Sequence, residues 1–404
     1  SPVAFDEELA GLMVAAGADC FRINCAHDDP EVWARLVAGA RRAGRRAGRH
    51  LPLLMDLGGP KLRIAALAPG KSRRLEAGDR FLLAQDAAGL TSPEAGLPRS
   101  RATLTLPQAL AAARPGAEVW IDDGKLGATI ERRVPAGLVA RVIHAKPGGS
   151  RLKPEKGVNL PGVELSLPAL TALDLEHLDF VAAHADLVGL SFVQRVADVE
   201  ALQQALAGRL GRRRWPGLVL KIETRQGLAN LPDLVLRAAG RQPTAIMLAR
   251  GDLAIELGFE ALSAAQEEGL SLAAAARLPV IWATQVAEGL LKTGRPSRPE
   301  ITDLAMAQRA ECVMLNKGPH VLEAIAFADR VLRRMDRRQR KRSPRLAAAD
   351  LWRLEPGPED ASAPAPPDRA SAAAPSRRPR RDRRGRAGSR GSAPTAGWRR
   401  SSGR

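Results

Sequence analysis

No apolar run in this 404-residue sequence approaches the ~20 residues that cross a bilayer, so no transmembrane helix is expected. Cysteines number three (Cys20, Cys25 and Cys312) and show no paired spacing, which argues against a disulfide framework. They read as buried free thiols of a reducing compartment. The six histidines form no ligand-like cluster, and His27, His144 or His177 alone carries little information. The opening Ser1-Pro2-Val3 shows no secretory pattern, so a cytoplasmic location is expected.

Positive charge is abundant, and its position matters more than its amount. The formal net charge is +18. Residues 331–404 hold 21 of the basic and 7 of the acidic residues, a net of +14, which leaves +4 for the first 330. The nucleic-acid signal is therefore confined to the end of the chain. From 355 onward the sequence is rich in Pro, Ala, Ser, Gly and Arg with little to bury, a composition expected to be disordered. Arg-rich tails bind RNA or acidic surfaces. Here no aromatic stacking pattern accompanies the arginines, and a solvated appendage is the simpler reading.

Hydrophobic residues make up 45% of the chain, enough for a large core and more than one domain. Strand-like and helix-like runs alternate. Strands are expected at 19–24, 51–57, 187–192, 218–223, 244–249, 279–284 and 312–316, with helices at 7–16, 31–48 and 171–184 among those between them. Such alternation argues for parallel β/α architecture. The strand count is seven, whereas a closed TIM-type (β/α)8 barrel needs eight. The missing first strand would precede Ser1, or the barrel would close differently. Between about 65 and 165 the rhythm changes to short strands with turns, at 71–76, 80–85, 118–121, 128–134 and 138–145, which is expected to be an all-β insert. The division follows: residues 1–64 and 166–343 form an α/β barrel, 65–165 a small inserted β domain, and 344–404 a basic C-terminal tail.

Two segments carry the chemistry. Lys221-Ile222-Glu223 closes the apolar run Leu218-Val219-Leu220, and Ala249-Arg250-Gly251-Asp252 closes Ala245-Ile246-Met247-Leu248. Both fall at the C-terminal ends of expected strands, the edge where barrel active sites are built. Lys221 and Glu223 are two residues apart and share a face of their strand. Glu223 and Asp252 offer hard oxygen ligands suited to Mg²⁺ or Mn²⁺. Lys221 would stabilise negative charge on an enolate or a transferring phosphoryl group. A salt-bridged strand end is the plainer alternative. Gly251 and Asp252 are expected to open a helix whose N–H groups can hold a substrate carboxylate. Thr284 ends another strand at the same rim, as a hydroxyl donor or as a helix cap. Arg22 and Asn24 share a face of the first visible strand. Asp56, Lys61 and Arg63 flank Gly58-Gly59-Pro60, a tight turn. Arg22, Lys61 and Arg63 aimed at one rim suggest phosphate, or else a solvated basic edge.

Taken together, these segments resemble the pyruvate kinase family. The matching stretches are FRINCAH (21–27), MDLGGPKLR (55–63), IDDGKLG (121–127), KGVNLPG (156–162), LSFVQRVADV (190–199), KIETRQGLAN (221–230), MLARGDLAIELG (247–258) and ATQVAEGLLKTGRPSRPEITDLA (283–305), in the family's order. The resemblance implies a (β/α)8 barrel with a small β domain inserted after its third strand. It implies divalent-metal ligands at Glu223 and Asp252, and a phosphoryl- and enolate-stabilising role for Lys221. Arg22, Gly251, Asp252 and Thr284 would contact phosphoenolpyruvate, with Arg22, Lys221 and Thr284 the catalytic set. Arg63 and Lys156 would contact the phosphates of ADP or ATP. The implied reaction converts phosphoenolpyruvate and ADP to pyruvate and ATP, in a homo-oligomer, with Mg²⁺ or Mn²⁺ as cofactor.

Several positions depart from the family pattern. Members that need K⁺ hold it with an Asn, a Ser, an Asp and a Thr carbonyl. Here Asn24 and Asp56 remain, but Ala26 and Leu57 stand at the other two positions, and Lys61 replaces the Glu that follows the Pro. A fixed ammonium at Lys61 would substitute for the bound cation, so K⁺ is not expected to be required. Met314-Leu315-Asn316-Lys317-Gly318-Pro319-His320 differs from the family's Ser and Gly-Glu pattern. No counterpart of the regulatory domain is seen after about residue 343, so the usual sugar-phosphate control is not expected. Two further readings stay open. One is a metal-dependent aldolase or lyase of pyruvate-type substrates on the same barrel. The other is a weakly active protein that binds RNA or partners through its tail.

Overall fold

The computed structural model describes residues 7–339 apart from 71, 72 and 166. The expected tail at 344–404, and with it any nucleic-acid role, lies outside the described residues. The strands in chain order are β1 (Phe21–Asn24), β2 (Leu53–Asp56), β3 (Ile64–Leu67), β4 (Arg80–Ala84), β5 (Ser100–Leu104), β6 (Glu118–Ile121), β7 (Leu126–Val134), β8 (Gly137–Ala145), β9 (Val158–Asn159), β10 (Leu187–Leu190), β11 (Gly217–Ile222), β12 (Thr244–Ala249), β13 (Val280–Ala283) and β14 (Cys312–Val313).

Seven of these form one parallel sheet in the order β1-β2-β10-β11-β12-β13-β14. Helices lie between successive strands, including Pro30–Arg46, Ala172–His184, Val196–Leu210, Leu231–Ala239, Phe259–Ala276 and Arg298–Ala307. The curled parallel sheet with intervening helices is that of an α/β barrel. All residues of β11 and β12 are buried, as expected of parallel strands covered on both faces. Outward side chains such as Leu53, Met55, Leu218, Leu220, Ile246, Leu248 and Trp282 pack on the helices. Inward ones (Leu54, Val219, Ala245, Met247, Ile281 and Ala283) form a separate cluster inside the sheet, joined by Cys20 and Cys312. Because side chains alternate along a strand, Asp56 follows Leu54 inward, and Lys221 and Glu223 follow Val219. The alternation thus aims an apolar plug at one end of the strands and charge at the other.

Residues between β2 and β10 build the second sheet, in the order β3-β5-β4-β8-β7-β6-β9, with its own apolar cluster around Phe81, Leu110, Val119 and Leu138. Its pairings are antiparallel except β4 with β5. The expectation of strands alone needs correction, because short helices at Ala87–Thr91 and Ala109–Ala112 interrupt it. Asp86 caps the first through Gly89 N at 3.0 Å, a local bond that favours a helical turn over a strand. The strand expected at 71–76 is also absent over its described part, where Leu75 makes an isolated bridge to Ser150. The strand expected at 312–316 shrinks to two residues, since β14 has a ladder partner only in β13 among the described residues.

The cysteines are free: Cys25 is buried, and Cys20 and Cys312 are half-buried rather than fully enclosed. Burial pushes the thiols of Cys20 and Cys25 up to about 12, which leaves both inert as nucleophiles. No helix among the described residues is long and apolar enough to cross a membrane.

Candidate active site

Lys221 is the centre of the charged end of the barrel. It sits on β11 with only 7% of its surface exposed. Its ammonium donates to Ser191 Oγ at 2.6 Å and lies 3.4 Å from Glu223 Oε1 and 3.5 Å from Asp56 Oδ2. Burial works against its charge, but the carboxylates of Glu223 and Asp56 outweigh burial and hold it above the ordinary lysine range. Lys221 is therefore a fixed cation at neutral pH. Ser191, which follows β10, donates in turn to Leu57 O at 2.6 Å and so ties the ends of β2, β10 and β11 together.

Asp56 is fully buried and receives Arg22 Nε at 2.6 Å. Burial opposes its carboxylate, yet Lys221 and Arg22 outweigh that and keep it below the usual carboxylate range. Its Oδ1 has no hydrogen-bond partner. Glu223 accepts the Phe192 N–H at 2.6 Å. Burial raises its carboxyl above the ordinary range, with Lys221 opposing and the nearby Asp252 adding to the rise. Two interacting carboxylates, Glu223 buried and Asp252 half-buried, are a hard-oxygen pair that a dication would stabilise. No group of three or more His, Cys, Asp and Glu side chains suited to a metal exists among the described residues. A cation held there would take its remaining ligands from substrate oxygens and water.

Asp252 lies in the first turn of a helix at Arg250–Leu257, which starts at Arg250 rather than after it. Gly251 is forced by its neighbour: a Cβ there would fall 2.6 Å from Thr284 Cγ2. Thr284 itself has a positive φ of 71°, as does Gln285 at 57°. It is not a helix cap, because the next helix begins at Glu288. Such backbone is costly for a β-branched residue and persists only where its surroundings hold it. The support is Arg250. Its guanidinium donates to Ala283 O at 3.1 Å and Thr284 O at 3.0 Å, pairs with Asp303, and stacks on Trp282 at 4.4 Å. Trp282 Nε1 also donates to Asp303 at 3.1 Å.

The turn Gly58-Gly59-Pro60 is fastened from the far side of the insert. Asp174 closes a capping box with Thr171 at the start of its helix and also accepts the Gly58 N–H at 2.7 Å. Gly59 takes a φ of 67°, and a Cβ there would fall 2.9 Å from Ser191 Cβ. The turn delivers Lys61 to an unexpected place. Its ammonium bonds both oxygens of Asp252, at 3.1 and 3.2 Å, and lies over the Phe192 ring, rather than bonding Asn24 or Asp56. Asn24 Oδ1 accepts Ala26 N at 3.2 Å. Asn159 joins Lys61 on Asp252, at 3.3 Å.

Arg63 and Lys156 are neighbours through the bond from Ile64 N to Lys156 O and the Arg63–Gly157 bridge. Arg63 donates to Glu155 O at 2.9 Å, and Lys156 pairs with Asp122 at 2.9 Å. Burial, then the positive charges of Arg63 and Lys317, hold the His27 imidazole below its usual range, with Arg22 adding. One edge of the site is therefore cationic, running from Arg22 past His27 to Arg63 and Lys317. Ser191, Arg250, Asp303 and Asn159 escape a reading of motifs. Their roles depend on partners 33 to 134 residues apart in sequence for Arg250 and Ser191, which no local spacing reveals.

The fold and site define an α/β-barrel enzyme whose C-terminal rim opposes a buried ammonium to a carboxylate pair. A sequence model described as the pyruvate kinase barrel domain matches residues 2–319. The pyruvate kinase of Methylorubrum extorquens is 34% identical over 344 residues, covering 83% of this chain and 67% of that protein. That of Mycobacterium intracellulare is 31% identical over 338 residues, with 82% and 67% covered. Human pyruvate kinase PKLR is 31% identical over 347 residues, with 82% and 58% covered. The chain belongs to the pyruvate kinase family, and is an enzyme of that type.

Proposed function

We propose that the chain transfers the phosphoryl group of phosphoenolpyruvate to ADP, giving pyruvate and ATP. The observation that carries this reading is the buried Lys221 ammonium, set between Ser191, Asp56 and Glu223 beside Asp252. An ADP phosphate oxygen attacks the phosphorus as the enolate oxygen leaves. The enolate then takes a proton at carbon to become pyruvate. Lys221 is held charged, so it serves as an electrostatic stabiliser of the transferring group and the enolate oxygen, and not as the proton donor.

Glu223 and Asp252 are the residues that would hold Mg²⁺ or Mn²⁺, which supplies further neutralisation of phosphoryl and carboxylate oxygens when bound. Arg22 orients the phosphoryl group while Asp56 fixes the guanidinium. Gly251 and its neighbouring N–H groups at the helix start receive the substrate carboxylate. Thr284 packs its methyl against Gly251 on the turn that Arg250 supports, and its hydroxyl takes part in delivering the proton. Arg63 and Lys156 bind nucleotide phosphates. Lys61 brings a permanent positive charge to the site, so turnover needs no K⁺.

The test is a coupled assay of pyruvate formation from phosphoenolpyruvate and ADP with Mg²⁺ or Mn²⁺. Wild-type protein should turn over, and Lys221→Met should lose on the order of 10²–10³-fold in kcat, the effect of removing one preorganised charge. Equal rates in the two proteins would refute the role of Lys221. Absence of turnover in the wild type would overturn the reading.

A further inference from the structure

Away from the barrel rim, the β insert gathers positive charge around a concavity. Residues 65–165 hold 15 basic and 10 acidic residues, a net of +5. A cavity of about 190 Å³ in this segment is lined by Arg74, Lys125, Lys146, Arg151 and Lys153, with Asp122 the sole acidic lining residue. Five cations and one carboxylate give +4, so nearly all the surplus of the insert faces one hollow.

The strand registers make this arrangement costly. Leu126 pairs with Ala145 across β7 and β8, which sets Lys125 beside Lys146. Leu75 bridges Ser150, which sets Arg74 beside Arg151. Like charges opposed across strands destabilise a sheet. Some cations of the insert outside the hollow are paired, Arg80 with Glu131 and Arg73 with Asp79. Around the cavity, Lys125 shares Asp122 with Lys156, and Arg74 donates to Gly148 O at 2.7 Å. The side chains of Lys146, Arg151 and Lys153 have no acidic partner among the described residues. The floor is built rather than loose. Ser150 is buried and donates to Lys125 O at 2.8 Å, and Gly149 packs its backbone against Arg74.

We propose that this hollow binds a small anion carrying two phosphoryl groups. Each phosphoryl group brings a charge of about −1.5 to −2 near neutral pH, so two match the +4 of the lining. The small volume of the hollow, which is open to solvent on the side of its exposed cations, suits a small molecule rather than a polymer backbone. Arg63 and Lys156, the proposed nucleotide contacts, are not among the lining residues, although Lys156 pairs with the lining Asp122 at 2.9 Å, and the inference does not depend on the reaction assigned above.

Inorganic pyrophosphate is the probe, titrated by calorimetry into the full chain at fixed ionic strength. The triple variant Lys146→Ala, Arg151→Ala, Lys153→Ala should bind it at least tenfold more weakly. The pair Arg63→Ala, Lys156→Ala should retain this binding event. Without ligand, the triple variant should melt at or above the wild-type temperature in low salt, and the gap should close as salt is added, because only repulsion has been removed. Undiminished pyrophosphate affinity in the triple variant overturns the proposal. So does loss of the binding in the Arg63/Lys156 variant, or sulfate competing equally well at matched ionic strength.

Discussion

The ammonium of Lys61 lies 3.1 Å from Asp252, one of the two carboxylates suited to a divalent ion. Sequence reasoning set this lysine against Asn24 and Asp56, where a monovalent cation would sit. Asp56 is instead taken by Arg22 and Lys221, so Lys61 turns to the other carboxylate. A divalent ion must then share Asp252 with a resident cation. Removing that cation should tighten metal binding. Lys61→Ala should bind Mn²⁺ about two- to fivefold more tightly in a direct titration, the scale of a partly exposed ion pair. Weaker or unchanged binding would show that the pair does not compete with the metal.

The same side chain governs monovalent dependence. With a permanent ammonium in the site, the initial rate should be flat in a potassium titration run against tetramethylammonium at constant ionic strength. Lys61→Glu, which replaces the ammonium with a carboxylate, should make the rate rise with K⁺. A wild-type rate that depends strongly on K⁺ would sink this account of Lys61.

Much of this site is legible in the sequence because it rests on period-two alternation along strands. Once 218–223 is read as a strand, Lys221 and Glu223 must share a face, and the structure has them there with Asp56 from β2. The barrel order follows likewise from apolar runs separated by helical ones. Illegible were the features fixed by long-range contacts. Asp174 fastening Gly58, Arg250 bracing the Thr284 turn, and Lys61 choosing Asp252 each join residues over 30 positions apart. The short helices of the insert were missed for a local reason, since side-chain caps such as Asp86 override strand-like neighbours.

Gly251 offers a direct probe of the bracing. A methyl group there would fall 2.6 Å from Thr284 Cγ2 and push against a turn already at a positive φ. Gly251→Ala should cost about 1–3 kcal/mol in chemical denaturation through overpacking. Its kcat/KM for phosphoenolpyruvate should fall ~10²-fold, the scale of an ångström-sized misplacement. Activity within a factor of about two of wild type would mean that Thr284 needs no fixed position.

Glu256, one turn beyond Asp252 in the helix Arg250–Leu257, gives the protein a pH signature of its own. Burial raises its carboxyl from 4.5 to about 7, with Asp252 adding and the Arg225 N–H opposing. Below the lower value both folded and unfolded chains carry the proton, so this group contributes its full stabilisation. Between the two values the unfolded chain has released a proton that the folded chain keeps, and stability falls as pH rises. Above about 7 the loss is complete. At ~1.36 kcal/mol per unit the decline amounts to as much as about 3 kcal/mol. Glu256→Gln has no charge to lose. In metal-free urea unfolding compared at about pH 5 and about pH 8, the variant should lack this share of the decline that the wild type shows. An identical pH difference in both proteins would place the Glu256 carboxyl in the ordinary range and remove its part in the acid–base balance beside Asp252.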